Sequence, residues 1–207
     1  MSFCFVTAVF SHGQRKNPVP QTEGTILNDD TYSNPVLGVE IKLPGAWQVF
    51  DKEMQRQAGL RTNGNKGDTT CRELFCGNPE ISIALISKRQ QSGLGGLGAI
   101  FLAGYKMSGP YLNRQSYPLK RLAETMTSSS LGASGLMPIG NLTPIRLSGK
   151  PAFRLLVRDQ NIPTIKGFGY VSESNGYVFL LVGTAPSIEY SWNLQIAIEK
   201  MKFTPSE

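Results

Sequence analysis

The segment Tyr177-Val-Phe-Leu-Leu-Val182 has no polar face. Successive side chains of a strand point to opposite faces. A run that is apolar on both belongs at the centre of a sheet covered on two sides. Asn175-Gly176 stands immediately before it, and both residues tolerate the positive φ of a type I′ turn. The spacing therefore predicts a hairpin whose other arm is Ile165 to Glu173. Further upstream, Ile145 to Leu147 leads through Gly149-Lys-Pro151 into a strand from Ala152 to Arg158.

The N-terminal half repeats the theme. Leu37, Val39, Ile41 and Leu43 alternate with Glu40 and Lys42, which predicts a half-buried strand. Pro44-Gly45 turns the chain, and Trp47 to Phe50 begins the next element. Ile81 to Ile86 is another strand candidate. Ser92 to Gly109 is rich in glycine, and no element is assigned to it. Ser116 to Leu131 predicts a helix with Pro118 in its first turn and Leu119, Leu122, Ala123 and Met126 inward. Ser128-Ser-Ser130 and Gly132 are expected to end it. A last helix opens at Pro186-Ser187, with Ser187 as N-cap and Tyr190, Leu194, Ile198 and Met201 at helical spacing. Hairpin-linked strands followed by a packing helix describe an α+β fold, a mainly antiparallel sheet covered by helices, rather than a parallel Rossmann sheet. At 207 residues the chain fits one domain with enough buried surface to need no metal or disulfide.

The chain opens Met1-Ser-Phe-Cys-Phe-Val-Thr-Ala-Val-Phe10, followed by Ser11-His-Gly13. This is similar to the back half of a secretory signal, without its basic start. Residues 14–31 are polar and carry Pro18, Pro20 and Gly24, the composition of a disordered linker. Three regions are expected: a signal segment over 1–13, a linker over 14–31 and one domain over 32–207. An extracytoplasmic location follows, periplasmic or secreted. With Cys4 removed, Cys71 and Cys76 remain as a possible disulfide. Five residues of straight strand separate their Cα atoms by about 16 Å, against the roughly 7 Å a disulfide allows. Bonding thus requires a turn inside Arg72-Glu-Leu-Phe75; the alternative is two buried free thiols.

The formal charge is +6, and no acidic residue occurs from Ile81 to Ala123. Lys88, Arg89, Lys106, Arg114, Lys120 and Arg121 all fall in that stretch. Such a segment is either a solvated surface or a docking face for an acidic partner or anionic headgroups, with Lys88, Arg89, Arg114, Lys120 and Arg121 as contacts. Nucleic acid is not expected, because no nucleic-acid-binding motif accompanies these residues.

Catalytic patterns fail one by one. Gly93-Leu-Gly95-Gly-Leu-Gly98 spells a dinucleotide fingerprint but lacks the strand running into it and the acid about 20 residues on. His12 is the lone histidine and falls in the leader, which removes histidine-based acid–base chemistry and most zinc sites. Asp51 and Glu53 form a close acidic pair without local partners and read as surface. Trp47 and Trp192 read as packing residues. No cofactor and no metal is expected.

Three stretches carry a resemblance. Asn34-Pro-Val-Leu-Gly-Val-Glu-Ile-Lys-Leu-Pro-Gly-Ala-Trp47, Ser148-Gly-Lys-Pro-Ala-Phe-Arg154 and Asn175-Gly-Tyr-Val-Phe179 are similar to the strands and hairpin of the PsbP/DcrB-type α/β/α sandwich superfamily. The resemblance spans Tyr32 to Phe203 and implies a non-catalytic accessory or binding domain with a protein or envelope partner. The chain departs from the pattern between Gln90 and Arg121, so no photosystem role and no functional residue are carried over. Two functions stand beside each other: docking a partner through the basic face, and carrying a small molecule in a pocket lined by Trp47, Phe168 and Tyr170.

Overall fold

The structure is a computed structural model, and it describes residues 24–28, 30–50, 80–88, 98–133, 136–160, 166–185 and 187–204. Eleven strands and two α-helices are present among them. In chain order they are β1 (Thr25–Leu27), β2 (Thr31–Asn34), β3 (Val39–Lys42), β4 (Trp47–Phe50), β5 (Ile81–Ser87), β6 (Ala99–Lys106), α1 (Leu119–Ala133), β7 (Leu136–Leu147), β8 (Lys150–Asp159), β9 (Lys166–Ser174), β10 (Tyr177–Ala185), α2 (Ile188–Glu199) and β11 (Lys202–Phe203). A 3₁₀ turn, Gly109–Leu112, precedes α1.

The strands form two antiparallel sheets. The larger has the order β4-β5-β6-β10-β9-β8-β7, and the smaller β1-β2-β3-β11. The α+β architecture agrees with the sequence reading. β10 occupies the middle of the seven strands, between β6 and β9. Asn175 and Gly176 take φ of 48° and 78°, the pair of positive values a type I′ turn requires. From Val178 to Ala185 every residue of β10 is buried.

Two cores explain why. Phe179 and Leu181 join Leu194 and Ile198 of α2, together with Val39 and Ile41 of the small sheet. Val178, Leu180 and Val182 join Leu122, Ala123 and Met126 of α1. Alternate residues of one strand thus enter opposite cores, and the two helices lie on opposite faces of the large sheet. Each large side chain so buried contributes about 1.5–3 kcal/mol.

Four local expectations change. β6 lies in the stretch left unassigned, because glycine obscured a strand. Its glycine, Gly104, sits where an added Cβ would stand 3.1 Å from the Ile81 Cβ across the ladder, so close strand packing favours its absence. α1 runs through Ser128–Ser130 to Ala133. Thr127 and Ser128 return their hydroxyls to carbonyls three or four residues back, and Leu131 is buried. β7 starts at Leu136, well before Ile145; it is an edge strand, where Pro138 and Pro144 cost no ladder bond, and its register shifts between Ile139 and Thr143. Finally, β1 and Asp30 fall within the polar linker composition, yet Thr25 to Leu27 pair with β2 and Asp30 accepts a hydrogen bond from the Leu43 N–H.

Candidate functional site

The position of α2 leaves part of the large sheet uncovered. Ser187 caps the helix, its side chain accepting from the Tyr190 N–H. Tyr190, Leu194 and Ile198 then face the core. The helix lies over β9 and β10. Among the described residues no helix lies on the same face of β8 and β7, two strands further out. Between α2 and these outer strands runs a groove of about 760 Å³. That volume falls within the range of small-molecule sites, roughly 300–1,000 Å³.

Its lining is mostly apolar. Ile188 and Trp192 project from α2, Leu156 and Phe168 from the sheet, and Ile139 from β7. Trp192 is 63% exposed, Ile188 69% and Leu156 46%. These are large side chains left in water around one concavity, which is the informative kind of exposure. The stripe on α2 continues to Ile196, one more helical turn along.

One end of the groove is closed by a polar knot. Glu199 Oε1 accepts from Arg154 Nη1 at 3.2 Å, from the Tyr170 hydroxyl at 3.0 Å and from Gln195 Nε2 at 2.9 Å. The knot ties the last turn of α2 to β8 and β9. Burial, and after it the Glu199 carboxylate, push the Tyr170 hydroxyl well above the usual tyrosine value, with Arg154 opposing. Tyr170 therefore stays protonated as a donor. Burial also raises Tyr190 and Tyr177. Among the described residues no three His, Cys, Asp or Glu side chains gather in a metal-binding group.

The proposed lining residues separate. Phe168 lines the groove, whereas Trp47 and Tyr170 are fully buried in the core. The Trp47 indole donates to the Pro44 carbonyl at 3.2 Å. Trp192, read as a packing residue, is instead the most prominent aromatic of the groove. Its signal in the sequence is an offset: it lies on a different side of the helix from Tyr190, Leu194 and Ile198.

The basic segment also divides. Lys88 follows β5 at one end of the large sheet, and Lys106 ends β6 at the other, about 30 Å of strand away. Arg114, Lys120 and Arg121 gather near Lys106, around the 3₁₀ turn and the start of α1. Arg114 pairs with Glu173 at 2.5 Å and donates to the Tyr111 carbonyl. The Arg121 guanidinium lies 4.9 Å from the centre of the Tyr117 ring, which packs on Tyr111. Lys120 meets Glu124 one turn on at 3.8 Å. Leu112 is 61% exposed at the tip. Arg89, Cys71, Cys76, Asp51, Glu53 and most of the Gly93–Gly98 motif lie outside the described residues, as do the expected leader and the first part of the linker. Gly98 itself leads into β6 and packs beside Tyr190.

No helix among the described residues is long and apolar enough to cross a membrane. No protein-family model and no curated protein matches the chain. Two of the similar solved structures illustrate the likeness. LpqN of Mycobacterium tuberculosis, described as involved in cell envelope biogenesis, has a TM-score of 0.44 and 14% identity, over 81% of this chain and 83% of that one. A Bacteroides thetaiotaomicron protein has a TM-score of 0.43 and 9% identity, over 86% of this chain. The chain spans 49% of that protein's length. Likeness at this level carries no argument about function, and no family-level match singles out the PsbP/DcrB resemblance.

Proposed function

We propose that the chain is a non-catalytic binding domain of an extracytoplasmic space, and that its binding surface is the groove between α2 and the outer strands β7 and β8. One observation carries the reading: five large apolar side chains, three of them among the most exposed in the described structure, converge on a single concavity of about 760 Å³. Asn141, Thr143, Arg154, Ser187, Ser191 and Gln195 stand among them, and an apolar lining with a small set of polar groups is the pattern of a small-molecule site. The location outside the cytoplasm is supported by the leader-like opening and the Cys71/Cys76 pair.

The two tryptophans provide the test. A spectrum of indole N–H groups carries one signal from buried Trp47 and one from exposed Trp192. Addition of a medium-chain alkyl ligand should move the Trp192 signal and leave Trp47 in place. Movement of neither, at saturating ligand, would remove the groove from the account.

A second reading is favoured by a different observation. Arg114, Lys120 and Arg121 converge on one tip beside Tyr111, Tyr117 and exposed Leu112. Lys120 and Arg121 occupy the first turn of α1, which contains no acidic residue. The helix dipole favours acids there, so these cations are placed against local stability. That arrangement suits docking of an acidic protein or envelope partner, at the end of the sheet away from the groove.

A further inference from the structure

We infer that the groove takes an uncharged amphiphile whose head carries hydroxyl groups, with the head lying between Thr143 of β7 and Gln195 of α2. The inference rests on the groove being a ligand site and adds the chemistry of its occupant.

Charge decides the first half. Among the described residues that line the groove, Arg154 alone is ionised; Arg158 and Glu189 lie outside the lining. Arg154 is already paired with Glu199 at 3.2 Å. An anionic head beside Arg154 would have to share it with that carboxylate. A cationic head would meet the guanidinium. Either would lose water in a mostly apolar groove without gaining a free counter-charge. A neutral head incurs neither cost.

The polar groups decide the second half. On the sheet, Leu156 pairs with Ile139 and with Phe168. Two residues back, about 6.6 Å along the strand, Arg154 pairs with Thr143. Paired residues share a face, so an apolar row is followed by a polar one. The helix repeats the order. Ile188 and Trp192 come first, and Gln195 stands one turn before Glu199, which holds Arg154. Gln195 gives an amide N–H to that carboxylate, which leaves its carbonyl oxygen as an acceptor. Ser191, one turn before Gln195, lines the groove with only 7% of its surface exposed. Its hydroxyl has no partner among the described residues, and neither do the side chains of Asn141 and Thr143. A nearly buried hydroxyl without a partner costs free energy, and a ligand hydroxyl reaching it through the groove removes that cost. These neutral groups both donate and accept, as the hydroxyls of a glycerol head do in return.

Four probes of equal acyl or alkyl length test this: 1-decanoylglycerol, methyl decanoate, decanoate and decyltrimethylammonium, each below its micelle concentration and at about pH 8, where the carboxylate is ionised. Trp192 emission is the readout, with buried Trp47 as a constant background. Decanoylglycerol should bind about tenfold tighter than each of the other three. Ser191→Ala combined with Thr143→Val should bring the two neutral esters to equal affinity, with circular dichroism verifying the fold. The wild-type ranking alone decides the charge of the head, whatever the fold of the variant. Decanoate or the ammonium binding as tightly as decanoylglycerol, equal binding of the two esters in the wild type, or an advantage of the glyceride that survives the double variant overturns the head-group assignment while the groove stands. Silence from all four probes in folded protein overturns both.

Discussion

Glu199 shows how one residue can fix a site without acting in it. A single carboxylate oxygen accepts from Arg154, Tyr170 and Gln195, and so sets where α2 rests on the sheet. The sequence gives no local sign of it, since the three donors come from two strands and a helix. Tyr170 carries a consequence for pH. Its hydroxyl is raised by burial and then by Glu199, so the folded chain holds that proton more tightly than the unfolded chain, where tyrosine titrates near pH 10. A raised folded value gives stability that is intact below about pH 10 and lost as pH rises beyond it. The melting temperature of the wild type should therefore fall more between about pH 9 and pH 11 than that of Tyr170→Phe. Tyr177 and Tyr190 are raised in both proteins and cancel in the comparison. Parallel curves would show that Tyr170 contributes nothing to the alkaline limb. Trp192 is the complementary case at this scale. Its exposure is legible from its offset on the helix, although an aromatic in a helix is usually packed.

Elements were legible where pattern and packing agree. β3 alternates, β10 is apolar throughout, and α2 repeats Tyr190, Leu194 and Ile198; each stands where its pattern places it. Elements were missed where a local rule met a tertiary exception. β6 contains the glycine that lets Ile81 approach, and the outer part of β7 contains prolines that only an edge strand accepts. Those prolines and the register shift also blunt the edge against pairing with another chain. The start of α1 invites its own test. Lys120 and Glu124 form a pair in the less favourable order, with the cation nearer the N-terminus. Replacing Lys120 and Arg121 by Gln should leave the melting temperature nearly unchanged, because removing two cations from the positive end of the helix offsets the loss of the Lys120–Glu124 pair and the Arg121–Tyr117 contact. The same double variant should abolish salt-sensitive retention on the native envelope fraction, if this tip docks a partner. Arg114 is left in place because Glu173 holds it. Unchanged retention would dismiss the tip as a docking surface.

At the scale of the whole molecule, the acid-free segment shows why charge read along a chain misleads. β5 and β6 run antiparallel, so Lys88 and Lys106 leave the sheet at opposite ends. A single basic run becomes two separated sites, and only Lys106, Arg114, Lys120 and Arg121 remain neighbours of one tip. The groove was hidden for a related reason. It arises from the distance between one helix and the two outermost strands, a relation among residues 139, 156, 168 and 192 that no window of sequence contains. The expected pocket drew on Trp47 and Tyr170, which the core consumes, and retained Phe168. The two-sided burial of β10 was legible at once, and it is what makes the site possible. The sheet is held by α1 on one face and by α2 with the small sheet on the other, and among the described residues this leaves the outer face of β7 and β8 open beside α2. Native mass spectrometry of protein purified gently from its own cells tests that claim most directly. The wild type should carry a stoichiometric mass of a few hundred daltons, in keeping with a drug-sized site of roughly 300–1,000 Å³, and Leu156→Glu, a change at an exposed groove position, should fold and lose it. A bare wild type, or an adduct retained undiminished by Leu156→Glu, would contradict it.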